Sequence, residues 1–397
     1  MGTNKLLRVV PRLVKKPRSL FGKFDLAIYA AMAFPFVFRI LPGFDTQPTF
    51  ALFFVASLAL FSAQRRAFLS EWARKPLQLY AIGMMVFGVL ISIVINEEFF
   101  SSIQRTASFL LFLVSLLFGL GAKSFINEKR LRSTLYIYAF FTVIYFLSQG
   151  FVEALLITSR NSAFGWYLDS GRGASTLSPE PSFFAIQLGS LILLYFLSRR
   201  DLIVPLSNEL RRSERRLVFL SIVMLMATLS GYGAVYLSIL VLILGLRWSI
   251  FIVVTGAAAV AFLSEFLSFR IFTLINLAIK EGLVGILLDV SVGERLRSFA
   301  DQLGIFANTV IGNAFQNLDG GGLISVLAGV GIFSIPFFGL LFLGLIRLRQ
   351  PLGIKMLAAV WLLLTSISGP IGVPLVGILA GQLMRHATWR QAPVSAA

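Results

Sequence analysis

Two groups of residues in this sequence can do chemistry together, although they lie far apart along the chain. The first is Leu177-Ser-Pro-Glu-Pro-Ser-Phe-Phe-Ala185, where Glu180 stands between two prolines at the mouth of the apolar run Pro181–Ser198. Proline is favoured at the first helical position, which puts Glu180 at or beside an N-cap. A carboxylate there accepts unpaired backbone N–H groups and matches the helix dipole. The same fixed carboxylate can act as a general base or orient an acceptor hydroxyl. Ser178 and Ser182 flank it, and Arg160, Asp169 and Arg172 precede it in one polar segment. The second group begins with Ser291-Val-Gly-Glu294, a capping-box pattern that predicts a helix over Val292–Leu303 with Ser291 as its cap. On that helix Arg295, Phe299 and Gln302 share a face, and Arg297 has Asp301 at i+4. Guanidinium forks bind phosphate bidentately. Arg295 and Arg297 therefore read either as ligands of an anionic lipid headgroup or as ordinary charges on a solvated amphipathic helix. Beyond them, Ile311-Gly-Asn-Ala-Phe315 and Gln316 form a polar, glycine-rich return that suits either a sugar-contacting loop containing Asn313 or a hinge.

The elements that must position these residues are apolar. The chain has 397 residues, 57% hydrophobic and 13% charged, whereas soluble domains carry about 25% charged residues. Apolar runs of about 15–22 residues recur, the length needed to cross a hydrocarbon core of about 30 Å. The fold class is therefore all-α and polytopic. A transmembrane β-barrel would need polar and apolar residues in alternation, which are absent. The runs are Asp25–Ile40, Thr49–Ala63, Leu77–Ile95, Thr106–Ala122, Ser133–Gly150, Pro181–Ser198, Leu217–Ser230, Tyr232–Leu246, Ser249–Ser264, Gly322–Ile346, Lys355–Ser368 and Ile371–Met384. They make about twelve spans in a single membrane domain, 1–397. Two pairs meet closely, at Ser230-Gly-Tyr-Gly233 and at Gly369-Pro370.

With the N-terminus inside, most of the 35 basic residues fall in the inner segments and most acidic residues in the outer ones. This is the positive-inside asymmetry, so the net charge of +17 reads as topology rather than as a nucleic-acid footprint. Both termini are expected in the cytoplasm, the first behind a basic tail, 1–23, that leads into a signal anchor. Polar chemistry is left to two long outer loops, 151–181 and 265–321. Loops longer than about 12–15 residues are usually functional or disordered, and these two are rich in aliphatic and aromatic residues. No Asp, Glu, Lys, Arg or His falls deep within a span, unlike the intramembrane relays of proton-coupled carriers.

The composition excludes several chemistries. There is no cysteine, and the one histidine, His386, lies in the C-terminal tail. Thiol chemistry, disulfides and a serine–histidine triad are thereby removed. No Asp-x-Asp pair or Gly-rich Walker loop is present for a metal–nucleotide diphosphate.

Taken in order, these features resemble the O-antigen polymerase/ligase superfamily, the Wzy-type membrane glycosyltransferases. Ser178-Pro-Glu-Pro-Ser-Phe-Phe-Ala185 is similar to the Glu-Pro-Ser-aromatic motif at a loop-to-helix junction in that family. Leu229-Ser-Gly-Tyr-Gly233 stands where the family often has a Ser-Arg turn; here Gly231 and Tyr232 replace the arginine. The arginine-bearing outer loop followed by Ile311-Gly-Asn-Ala-Phe315 resembles the family's arginine helix and Gly-x-Gly-Phe exit, with Ala314 at the second glycine. The outer loops lack the histidine used by lipopolysaccharide O-antigen ligases, which favours a polymerase.

The resemblance implies a GT-C-like fold in the bacterial inner membrane, with both long loops periplasmic. It implies metal-independent polymerisation of undecaprenyl-pyrophosphate-linked repeat units into O-antigen, capsule or exopolysaccharide, without a cofactor. Glu180, Arg295 and Arg297 would be catalytic. Arg172, Arg160, Asp169, Ser178, Ser182, Tyr232, Asn313 and Gln316 would bind substrate. Its partners would be the lipid-linked oligosaccharide and the bilayer, with a chain-length regulator and a flippase alongside, and no nucleic acid. Two alternatives stay open: ligase-type transfer of finished polymer, and a lipid-linked sugar transporter or flippase.

Overall fold

The computed structural model describes residues 38–41, 44–46, 48–96, 103–121, 128–147, 181–198, 212–228, 230–244, 280, 290–315, 322–367 and 373–387. The tail 1–23, most of the Asp25–Ile40 run, most of the first long loop, the Ser249–Ser264 run and Gly369-Pro370 lie outside the described residues.

Two short strands, β1 (Phe38–Leu41) and β2 (Phe44–Thr46), pair antiparallel with Phe38 opposite Thr46. This corrects the end of the first expected span, Asp25–Ile40, because Phe38–Ile40 are extended. The sequence between the strands is Pro42-Gly43, and both residue types favour a turn over a helix.

Everything else regular among the described residues is helical. The helices are α1 (Pro48–Ala63), α2 (Arg65–Ala73), α3 (Pro76–Asn96), α4 (Ile103–Gly121), α5 (Glu128–Leu147) and α6 (Pro181–Ser198). They continue with α7 (Arg212–Ala227), α8 (Gly231–Leu244), α9 (Val290–Asn308), α10 (Ile324–Val330), α11 (Ile335–Ile346), α12 (Leu352–Ile367) and α13 (Pro374–Met384). Four of them open on proline, at Pro48, Pro76, Pro181 and Pro374. A helix's first N–H groups have no internal acceptor, so the donor that proline lacks is not missed there.

Three helical stretches are long and apolar enough to cross a membrane: Pro76–Ile95, Pro181–Ser198 and Ile324–Ile346. A fourth candidate is the pair Leu52–Ala63 and Arg65–Ala73, bent by 88° at Gln64. The other apolar stretches, Thr106–Gly121, Gly231–Ile243, Leu352–Ile367 and Pro374–Met384, are shorter; the 11 residues of Pro374–Met384, at 1.5 Å per residue, extend only about 16 Å of a core about 30 Å thick. The expected span Gly322–Ile346 matches Ile324–Ile346 to within two residues, and Gly331–Ser334 form a 3-10 turn inside it, between α10 and α11. Gly331 sits at φ +67, and a Cβ there would overlap the backbone of Val310 and Ile311.

Helix α6 is the hub. It packs against α5, α7, α8, α12 and α13, and 83% of its residues are buried. Three of its polar side chains reach three different neighbours. Gln187 hydrogen-bonds the Tyr138 hydroxyl on α5. The Trp361 indole N–H on α12 donates to Ser190 Oγ at 2.9 Å, and Ser190 in turn donates to the Ile186 carbonyl at 2.6 Å. Tyr195 donates to the buried carboxylate of Glu214 on α7 at 3.4 Å.

Among the described residues, α4 and α13 form the most extensive helix–helix contact. Gly119 of α4 lies on the Ile378 backbone, while Gly377 and Gly381 of α13 lie on the backbone of Phe112, Leu116 and Leu120. Glycine at four-residue spacing lets helix backbones approach in this way. Gln382 adds a donor to the Gly119 carbonyl at 2.6 Å.

Near the start of α3, side chains satisfy the C-termini of other helices. Lys75 Nζ donates to the Leu120 carbonyl at 2.6 Å and Gln78 to the Met384 carbonyl at 2.9 Å. Lys75 also pairs with Glu71 at 3.3 Å. Burial pushes the Glu71 carboxyl up, but the Lys75 hydrogen bond and the charges of Lys75, Arg385 and Arg74 outweigh it, and the net shift is downward.

Candidate functional site

Three of the residues singled out by sequence meet around one guanidinium. Arg295 donates from Nη2 to Ser182 Oγ at 3.1 Å, across 113 residues of sequence. Its Cζ also lies 5.0 Å from the centre of the Tyr232 ring, within cation–π range. Each partner is held by its own helix. Ser182 is the second residue of α6, directly after Pro181, and is buried. Tyr232 is the second residue of α8. The start of α8 is capped by Ser230, whose Oγ accepts the Gly233 N–H at 3.0 Å and lies 3.0 Å from Thr228 Oγ1. A Cβ at Gly233 would overlap Thr228 Oγ1, so the reversal between α7 and α8 needs a glycine for close approach.

Arg295 is carried by α9, which runs over Val290–Asn308 rather than Val292–Leu303. Ser291 is thus inside the helix and not its cap. Asp289, a residue type equally suited to capping, immediately precedes it in sequence. The C-terminal extension follows from Ile305, which packs on the core. Arg295 and Phe299 are half-buried and Gln302 is buried, so this face turns to the helix bundle. Gln302 donates to Ser298 Oγ at 3.2 Å. Arg297 and Asp301 are exposed on the other side. The i+4 spacing does not bring them into an ion pair, and solvation offsets most of what such a surface pair would gain.

Asn313 sits on a separate support. Its backbone N–H donates to the Ala328 carbonyl at 3.0 Å, and the Ala314 N–H donates to the Gly329 carbonyl at 3.1 Å. Ser92 Oγ reaches the Ile311 carbonyl at 2.8 Å from α3. This docked strip carries Gly312 at φ +94, Ala314 at φ +53 and Phe315 at φ +65. The Phe315 ring lies against Gly329 and at 5.0 Å from the Phe109 ring, and that packing holds the left-handed backbone in place. Left-handed alanine costs about 1–2 kcal/mol, partly recovered through the unfolded chain. Ala314→Gly is therefore expected to raise the thermal unfolding midpoint in detergent by about 1–2 °C. Gly331→Ala should lower it, since it adds both strain and overlap.

Glu180, Arg160, Asp169, Arg172, Ser178 and Gln316 lie outside the described residues. One residue that sequence reasoning passed over stands next to the site. Tyr236 is one turn below Tyr232 on α8, fully buried, with its ring against Gly189 of α6. Its hydroxyl has no hydrogen-bond partner among the described residues. The Tyr232/Tyr236 spacing of four was the available signal.

The first turns of α6 and α8 both reach Arg295 through Ser182 and Tyr232, and each helix N-terminus carries about half a positive charge. A guanidinium held by two helices in this way is a cation of the kind that binds an anion such as phosphate.

The fold defines the class: a helical protein with helices apolar enough to cross a membrane. No family model matches the chain, and no curated protein sequence matches it.

Proposed function

We propose that this chain is a membrane glycosyltransferase of the bacterial inner membrane. It polymerises undecaprenyl-pyrophosphate-linked oligosaccharide repeat units at the periplasmic face, within a bundle of about twelve spans of GT-C-like organisation. The observation that carries this reading is the position of Arg295, bound to Ser182 two residues after Glu180 and set over Tyr232. The resemblance in the segments containing Glu180 and Arg295 gives the anion its identity, a lipid-linked pyrophosphate.

In the reaction an acceptor hydroxyl on one lipid-linked unit attacks the anomeric carbon of the growing glycan. The new C–O bond forms as the anomeric carbon–oxygen bond to pyrophosphate breaks. The lipid pyrophosphate departs with the bonding electrons, and the hydroxyl proton passes to a base. Glu180 is the base or orienter. Arg295 stabilises the charge building on the leaving group, the term that dominates when donors are pre-positioned. Arg172 assists from the first outer loop and Arg297 from the exposed face of α9, and Arg160, Asp169, Ser178, Asn313 and Gln316 contact sugar hydroxyls.

The test is turnover of a defined lipid-linked repeat by the purified protein. Longer lipid-linked glycans are expected, and Glu180→Gln should reduce their formation by about 100- to 10,000-fold at normal protein level. Full polymer formation by Glu180→Gln would remove the base role. In a deletion strain, single lipid-linked repeats should accumulate. Finished lipid-linked polymer would mark a ligase instead, and repeats retained on the cytoplasmic face would mark a transporter.

A further inference from the structure

We infer that α2 is an interfacial helix that docks on anionic phospholipid of the inner leaflet, with Arg65 and Arg66 as its headgroup ligands. The inference goes beyond the proposed activity and uses only the positive-inside topology.

The 88° bend at Gln64 turns α2 across the end of α1. If α1 runs along the membrane normal, α2 lies in the membrane plane. The bend is locked from one side. Phe61 stacks on Trp72 at 5.1 Å, Phe68 meets Phe61 at 5.8 Å and Phe118 at 6.0 Å, and the Trp72 N–H donates to the Leu117 carbonyl at 3.2 Å. A Cβ at Gly121 would overlap the Phe68 ring. Lys75 fastens the far end to Leu120. The helix is therefore a fixed platform.

Its other side is free to meet lipid. Arg65, Arg66, Leu69, Ser70 and Ala73 are exposed, and Leu69 is 44% exposed. An apolar centre flanked by arginines is the pattern of a helix in the headgroup layer, where guanidinium groups reach phosphate and the aliphatic residues face acyl chains. The helix's one acid, Glu71, is engaged by Lys75 at 3.3 Å and Arg74 at 3.8 Å, so it does not oppose an anionic surface. Charge complementarity selects anionic over zwitterionic lipid.

The experiment uses the full-length protein in neutral detergent, titrated with phosphatidylglycerol or with phosphatidylcholine. Bound lipid is counted by native mass spectrometry, and thermal unfolding is followed in parallel. Phosphatidylglycerol is expected to bind and to raise the unfolding midpoint, with added salt erasing the effect. R65Q/R66Q should weaken phosphatidylglycerol binding about fivefold for each arginine, so roughly thirtyfold together. Because both side chains are exposed, its midpoint in phosphatidylcholine should match the wild type. R349Q, an exposed arginine elsewhere on the expected inner side, should bind like the wild type. Equal binding of the two lipids, unchanged affinity in R65Q/R66Q, or an equal loss in R349Q would each overturn the inference. None of these outcomes depends on whether the protein transfers sugar at its outer face.

Discussion

Glutamine in place of Arg295 is expected to cut glycan transfer by about 100- to 1,000-fold, while the protein still accumulates at its normal level. The side chain is half-buried at the rim of the bundle, not in its core, and its loss leaves no large cavity. It does remove the cation shared by Ser182 and Tyr232. Arg295→Lys is expected to restore only part of the rate. Lysine keeps the charge, but a point ammonium cannot hold Ser182 and also present a planar fork to a pyrophosphate. Arg297→Gln, on the exposed face of α9, should cost only a few-fold. The readout is glycan length from a defined lipid-linked repeat, alongside the quantity of detergent-extracted protein. Full turnover by Arg295→Gln would sink the proposed role. Equal losses at Arg295 and Arg297 would instead show that α9 contributes general positive charge, with no selective anion site.

The largest effect on stability should come from the α4–α13 contact. A leucine at Gly381 would drive its Cβ into the Leu116 carbonyl and the backbone around Gly119 and Leu120. Backbone cannot swing aside as a side chain can, so the helices must part. Parting them also strains the Gln382 bond to Gly119 and the packing of Gly377 on Phe112. Overpacking costs about 1–3 kcal/mol or more, against a total margin of about 5–15 kcal/mol. Gly381→Leu should therefore leave little monodisperse protein after extraction, as judged by size-exclusion chromatography. Gly83→Leu is the matched control, because nothing lies within 4 Å of a Cβ there. Similar losses from both would mean that a leucine harms any of these helices, whatever its packing.

The helices were readable where hydropathy and proline agreed. Pro181–Ser198 begins and ends where the apolar run does, and α3 differs from Leu77–Ile95 by one residue at each end. Hydropathy measures lipid solubility and says little about closeness of approach, so Gly377 and Gly381 passed as ordinary members of an apolar run. The same blindness hid the 3-10 turn between α10 and α11, since that turn depends on Gly331 meeting a distant strip of backbone. At the site, the face shared by Arg295, Phe299 and Gln302 followed from helical spacing. The contact from Arg295 to Ser182 and Tyr232 did not, because it depends on how α6, α8 and α9 pack. Tyr236 was missed for a related reason: a tyrosine in an apolar run looks like core until its hydroxyl is followed.

The partners of α6 also imply an order of assembly. During synthesis Gln187 can pair at once, since Tyr138 on α5 has already been made. Ser190 can bide its time on the Ile186 carbonyl of its own helix, but its indole donor, Trp361, arrives 171 residues later. Ser182 waits 113 residues for Arg295. The ribosome must therefore deliver most of the chain before the central helix can close on its last neighbours. A truncation ending before Leu352 would leave α6 without the α12 and α13 walls that complete its enclosure among the described helices.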